Sequence, residues 1–247
     1  MQYNNTLFFG MITMKFLKFD DSIDFPFYDE NPRISKKGWF ILLISIPLSL
    51  VLYAVVSKVT DSSILAGMAF CFTMLIPILY FAKWDYGLMF RKPTKSEIML
   101  AVLMFIGYML YCIVISHFLD EFGLSGVARA GSTMGITIES TLGLIFSMMA
   151  EELLKFIPLM FLMRVVYKYT HKRRLAIVTS TAIVLFIFGL MHYNPPYLTI
   201  ASVLAIQGAG SFFDMYGYLR TKNLFVPYIT HLLTDGIIFI LILLGLA

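Results

Sequence analysis

Seven apolar runs dominate the sequence: roughly Trp39 to Ser57, Ile64 to Ala82, Ile98 to Phe118, Ile136 to Tyr167, Leu175 to His192, Leu198 to Leu219 and Phe225 to Ala247. Each holds about 18 or more residues, enough to cross a hydrocarbon core of ~30 Å at about 1.5 Å per helical residue. A chain inside lipid must satisfy its backbone polar groups internally, and a helix does so within one segment. The expected fold class is an all-α integral membrane protein with about seven transmembrane helices. Pro47, Pro77, Gly107, Pro158, Gly208 and Gly210 fall inside the runs, where neighbouring helices can satisfy the backbone groups they free. Of the 247 residues, 59% are apolar, against about 45–50% in soluble domains. That excludes a soluble domain carrying a single anchor.

The chain shows no internal repeat, low-complexity segment or shift of composition. It reads as a cytoplasmic N-terminal segment, 1–38, followed by one transmembrane helical domain, 39–247. The apolar part of the first segment, Leu7 to Phe19, is short and broken by Lys15 and Lys18. No signal peptide is expected there; the stretch reads equally as an amphipathic surface piece or a disordered tail. Cys71 and Cys112 lie in apolar runs without zinc-type spacing, so they are expected as buried thiols. The lipid bilayer is the expected surrounding. A net charge of +4 gives no reason to expect nucleic acid.

The cations fall mostly on one side of the runs. Arg33, Lys36 and Lys37 precede the first, and Lys83, Arg91, Lys92 and Lys95 follow the second. Arg164, Lys168, Lys172, Arg173 and Arg174 follow the fourth, and Arg220 and Lys222 the sixth. The opposite loops hold Lys58 and Arg129. By the positive-inside rule the N-terminus is cytoplasmic and the C-terminus external.

Inside the runs stand Glu139, Glu151, Glu152, Lys155, His192, Asp214, His231 and Asp235. A charge at mid-bilayer costs about 2.5–3.5 kcal/mol even on the lenient insertion scale, and such residues face the bundle interior or a wet cavity. Glu151 and Lys155 are spaced i, i+4 with the acid N-terminal, the favourable order for a helical ion pair. Pairing Lys155 with one glutamate lowers the burial cost and leaves the other free to act. His231 and Asp235 share a face by the same spacing. Glu151 lies 17 residues from Lys168, and His192 lies 18 from Arg174, which puts both at one depth on antiparallel helices. His231 lies only nine residues from Lys222, roughly 13 Å against about 25 Å for Glu151. The groups meet only if the fourth–fifth hairpin projects into the cytoplasm or the sixth–seventh connection rises into the membrane.

Read in order, Glu151-Glu152, Phe188-Gly-Leu-Met-His192 and His231-Leu-Leu-Thr-Asp235 give EE, FxxxH and HxxxD. This resembles the CPBP family of intramembrane proteases, which includes the CAAX prenyl endopeptidases and the bacterial Abi proteins. The stretch GYLRTKNLFVPYITHLLTD (217–235) is also similar to that family's approach to its last histidine. The resemblance covers about 145–240 and implies a protease-like core over about 136–247. Two positions depart from the pattern. Phe156 stands where the family usually has arginine, and Lys155 comes one residue early, as in the related PrsW-type proteases. Those carry glutamate where His192 stands, so the later motifs favour CPBP. Asp235 stands where many members have asparagine.

The resemblance implies an intramembrane endopeptidase acting on a membrane-associated peptide or lipidated protein, in a bacterial or archaeal cell membrane. A carboxylate in a low-dielectric site is a strengthened base and can activate water. Glu151 is the expected base, with Glu152 supporting it and His192 polarising the same water. His231 and Asp235 would bind the water or stabilise the oxyanion; Lys155 and Phe188 support. A variant makes Glu151, His192 and His231 ligands of a divalent metal such as zinc, which the positive charge of Lys155 disfavours. Structural roles compete with each assignment: a buried Glu151–Lys155 pair, an interfacial His192, a carbonyl bond for His231, or Thr230 or Thr234 donating to Asp235. Glu139 and Asp214 read as structural or solvent-lining. A proton- or ion-coupled transporter is the rival function, although no inverted repeat supports it. A catalytically silent member acting as scaffold or immunity protein is another.

Overall fold

The computed structural model describes residues 23–29, 31–126 and 136–246. The Leu7–Phe19 stretch and Arg129 lie outside these. The described residues form helices α1 (Lys36–Thr60), α2 (Ser63–Phe81), α3 (Lys95–Glu121), α4 (Ile138–Thr170), α5 (Arg173–Met191), α6 (Ile200–Val203), α7 (Phe212–Thr221) and α8 (Phe225–Leu243), with a short 3-10 turn at Tyr86–Leu88. No strand occurs among them. Five helices are long and apolar enough to cross a membrane: α1, α2, α3, α5 and α8. They correspond to five of the seven expected runs. The chain is a helical membrane protein.

The other two runs differ for separate reasons. Helix α4 is continuous over 33 residues, but every 18-residue window of it carries at least three charged side chains. The sixth run is not one helix: it breaks into α6, a π-helical segment (Leu204–Ala209) and α7. At the junction with α7, a Cβ on Gly210 would lie 2.1 Å from the Ile206 carbonyl oxygen, so the π backbone there admits only glycine.

Helix α4 is the axis, packed against α2, α5 and α8, while α3 lies across α8 and α7. Its start is tied to the start of α2. The Glu139 carboxylate accepts from the Ser62 hydroxyl (2.7 Å) and from the Ser63 (3.1 Å) and Ile64 (2.8 Å) amides. Glu139 is thus a helix cap, satisfying N–H groups that a helix start leaves open.

At the opposite end the cationic loops gather. The Arg91 guanidinium donates to the Thr221 carbonyl at 2.5 Å, and Asn223 exchanges hydrogen bonds with the Arg91 backbone at 3.2 and 2.9 Å. Arg173 forks onto Asp24, and Arg164 donates to the Asp29 carbonyl at 3.0 Å. Phe25, Phe27 and Tyr28 insert into the core. Burial and the hydrogen bond to Asp24 push the Tyr28 phenol up to about 12, which keeps it protonated as a donor.

This end also resolves the depth mismatch. Tyr218, at the close of α7, packs on Phe156 (5.3 Å between ring centres) and reaches Met160, not the tip of α4. The α7–α8 connection therefore meets α4 about three turns short of Lys168, roughly 18 Å along the helix. The α4–α5 hairpin projects past it, and residues 24–28 fill the step: Tyr28 stacks on Tyr167 and Phe25 on Tyr218. Lys222, read from sequence as a topology determinant, is 1% exposed.

Candidate functional site

The apolar core stops along one face of α8. Thr230, His231, Thr234 and Asp235 follow one another there at helical spacing, and His231 turns toward α4. Two side-chain groups on α4 meet them. The Glu152 Oε1 atom accepts from His231 Nδ1 at 2.8 Å and from Lys155 Nζ at 2.7 Å. Lys155 Nζ also lies 3.3 Å from Asp214 Oδ2 on α7 and 4.8 Å from the centre of the Phe188 ring on α5. Glu152, Lys155 and Asp214 are all buried. A buried charge left alone is costly, and here each has an opposite charge within bonding distance.

Glu151 is not part of that pair. The expected Glu151–Lys155 contact is replaced by Glu152–Lys155, spaced i, i+3, with the ammonium shared with Asp214. Glu151 keeps a quarter of its side chain accessible, and its Oε2 lies 3.7 Å from His231 Nε2. Asp235 Oδ2 lies 3.8 Å from the same nitrogen. The threonines do not serve Asp235 as donors: Thr230 donates to Val226 and Ala101 carbonyls, and Thr234 to the His231 carbonyl.

His192 ends α5. Its Nδ1 lies 2.8 Å from the Phe188 carbonyl, and its ring stacks edge-on to the Phe188 ring at 4.8 Å. A carbonyl only accepts, so Nδ1 carries the proton and Nε2 is left for other partners. His231 is fixed the same way by the Glu152 carboxylate. Phe188 thus stands between Lys155 and His192, fixing both.

Two cavities meet at these residues. A polar chamber of about 310 Å³ is lined by Glu151, His192, Asp214, His231 and Asp235, with Tyr108, Gln207 and Ser211. A mainly apolar groove of about 370 Å³ adjoins it between α1, α2, α4, α5 and α8, lined by Tyr53, Phe70, Leu144, Met148, Leu154 and Phe239 among others. Glu151, Phe188, His192 and Asp235 line both. A chamber of this size and polarity has room for several waters.

All five expected catalytic positions, Glu151, Glu152, His192, His231 and Asp235, border this chamber or bond to a residue that does. Lys155 and Phe188 support them from behind. Asp214 is the residue the sequence reading undervalued; it is the second anion holding Lys155. Gln207 also lines the chamber, and being uncharged it carries no signal in the pattern of intramembrane ionisable residues.

Among the described residues, the His, Cys, Asp and Glu ligand atoms that converge within 4.8 Å are those of Glu152, Asp214 and His231, not the expected trio of Glu151, His192 and His231. The Lys155 ammonium already bridges two of these three. The fixed ammonium beside both carboxylates opposes a second cation there, while Asp214 Oδ1 has no hydrogen-bond partner.

Fold and site define a class: a helical membrane protein with a buried Glu–Lys–Asp–His network beside a polar chamber. No family model matches the chain, and no curated protein or solved structure matches it.

Proposed function

We propose that the chain is an intramembrane endopeptidase in which Glu151 activates a water against a peptide bond. One observation carries the reading: a carboxylate outside any tight ion pair stands on the wall shared by a polar chamber with room for waters and an apolar groove. The groove offers an apolar segment a place, and the chamber offers the water. Glu151 accepts a proton from the water as its oxygen attacks the carbonyl carbon. His192 Nε2 orients that water. The tetrahedral intermediate collapses with cleavage of the C–N bond, and the proton taken up by Glu151 passes to the leaving amine. Glu152, held by Lys155, fixes the His231 ring. Asp235 stands 3.8 Å from His231 Nε2, as Glu151 does at 3.7 Å.

In this reading α4 is a sixth spanning helix with its charges turned inward, and α6–π–α7 is a broken seventh pass. The N-terminus is cytoplasmic and the C-terminus external, because the cationic loops gather at one end. The substrate is a membrane-associated peptide or lipidated protein.

The test is a purified chain in liposomes with a pool of apolar membrane peptides, read by mass spectrometry with and without a chelator. Cleavage that persists in chelator and is lost in His192→Ala is expected. Intact peptides throughout, with proton flux across the same liposomes, would assign the carboxylates to a transporter instead.

A further inference from the structure

Peptide-bond hydrolysis needs a donor for the carbonyl oxygen as it becomes an oxyanion, and the chamber's charged groups supply it poorly. Lys155 is turned to Glu152 and Asp214. The Nδ1 atoms of both histidines are committed, to Glu152 and to the Phe188 carbonyl. Asp235, as a carboxylate, only accepts and would repel an oxyanion. Thr234 donates within its own helix. Gln207 is different. It lines the chamber as a neutral amide, and its Oε1 is sealed in protein without a hydrogen-bond partner. The unpaired atom is the acceptor; the NH2 group of the same amide is the neutral donor that a chamber-lining glutamine can offer.

Its backbone is also set apart. Gln207 sits in the π-helical segment, a widened turn that in other proteins concentrates at functional sites. The segment is held from two sides. The Tyr111 hydroxyl donates to the Ala205 carbonyl at 2.8 Å. On the other side Gly208 meets Gly189 backbone to backbone, where a Cβ on Gly189 would lie 2.9 Å from the Gly208 Cα. Gly189 is one turn before His192, so this contact registers Gln207 against the histidine.

We propose that the Gln207 side-chain amide donates a hydrogen bond to the scissile carbonyl oxygen and to the oxyanion formed from it. This rests on the peptidase reading above. The attacking water gives its proton to Glu151, the carbonyl π electrons move onto oxygen, and Gln207 stabilises that charge without transferring a proton. Expulsion of the amine, which takes up a proton, restores the carbonyl and releases the amide.

The experiment uses the full chain in liposomes, a peptide the wild type cleaves, and an aldehyde of the same sequence whose hydrate mimics the intermediate. Gln207→Ala and the neutral, near-isosteric Gln207→Met are expected to lose about 10²–10³-fold in kcat, with KM changed less than about threefold. Aldehyde affinity should fall with kcat, and the thermal midpoint of Gln207→Met should stay close to the wild-type value. A wild-type kcat in both variants, or an equal loss of substrate and aldehyde binding, overturns the proposal. In either case wild-type cleavage that is lost in Glu151→Gln leaves the peptidase reading standing. Absence of cleavage by the wild type overturns the reading and this assignment together.

Discussion

Lys155 shows how the site is balanced at the level of single residues. Its ammonium is shared between Glu152 and Asp214, with the Phe188 ring beneath it. Lys155→Ala leaves two buried carboxylates facing each other, so a destabilisation of about 3–5 kcal/mol is expected, read as a lowered thermal midpoint in detergent. Adding Asp214→Asn to that variant removes one of the two charges and should recover part of the loss. A double variant no more stable than Lys155→Ala would separate Asp214 from the network. The sequence reading had one glutamate neutralised and the other free. The spacing alone favoured Glu151 as the neutralised one, because i, i+4 is the better helical pair. In the structure the ammonium is shared between Glu152 and Asp214, which arrives from another helix. No local rule carries that information.

At the scale of elements, hydropathy distinguished apolar runs from loops but not α from π backbone. Leu198 to Leu219 reads as one span by length, yet it divides where Gly208 approaches Gly189 closely and where Gly210 joins the π backbone to α7. Those glycines were visible in the sequence; their partners were not. The α5–π contact gives a direct prediction. Gly189→Ala places a methyl 2.9 Å from both the Gly208 Cα and the Val203 carbonyl oxygen, and backbone cannot step aside as a side-chain tip can. Overpacking of this kind costs about 1–3 kcal/mol, and the thermal midpoint should fall together with kcat as the π segment moves. Gly236→Ala is the control, since a Cβ there meets nothing within 4 Å, and it should behave as wild type.

For the whole molecule, the gathering of cationic loops at one end was legible from sequence, and the contacts of Arg91, Arg164 and Arg173 agree with it. The height of that end was not legible. It depends on residues 24–28 filling the step between the α4–α5 hairpin and the α7–α8 connection, a packing no hydropathy profile contains. The orientation is checked with single cysteines in a Cys71→Ser, Cys112→Ser background and an impermeant maleimide on intact cells. Glu121→Cys, at an exposed site, should label, and His171→Cys in the α4–α5 turn should label only after lysis. The reverse pattern would invert the topology.

The central claim is that Glu151 is the base. Wild type and Glu151→Gln are compared in liposomes on a peptide the wild type cleaves, with matched thermal midpoints to show that both are folded. The account predicts cleavage by the wild type and none detectable by Glu151→Gln. Equal cleavage by the two proteins would contradict it.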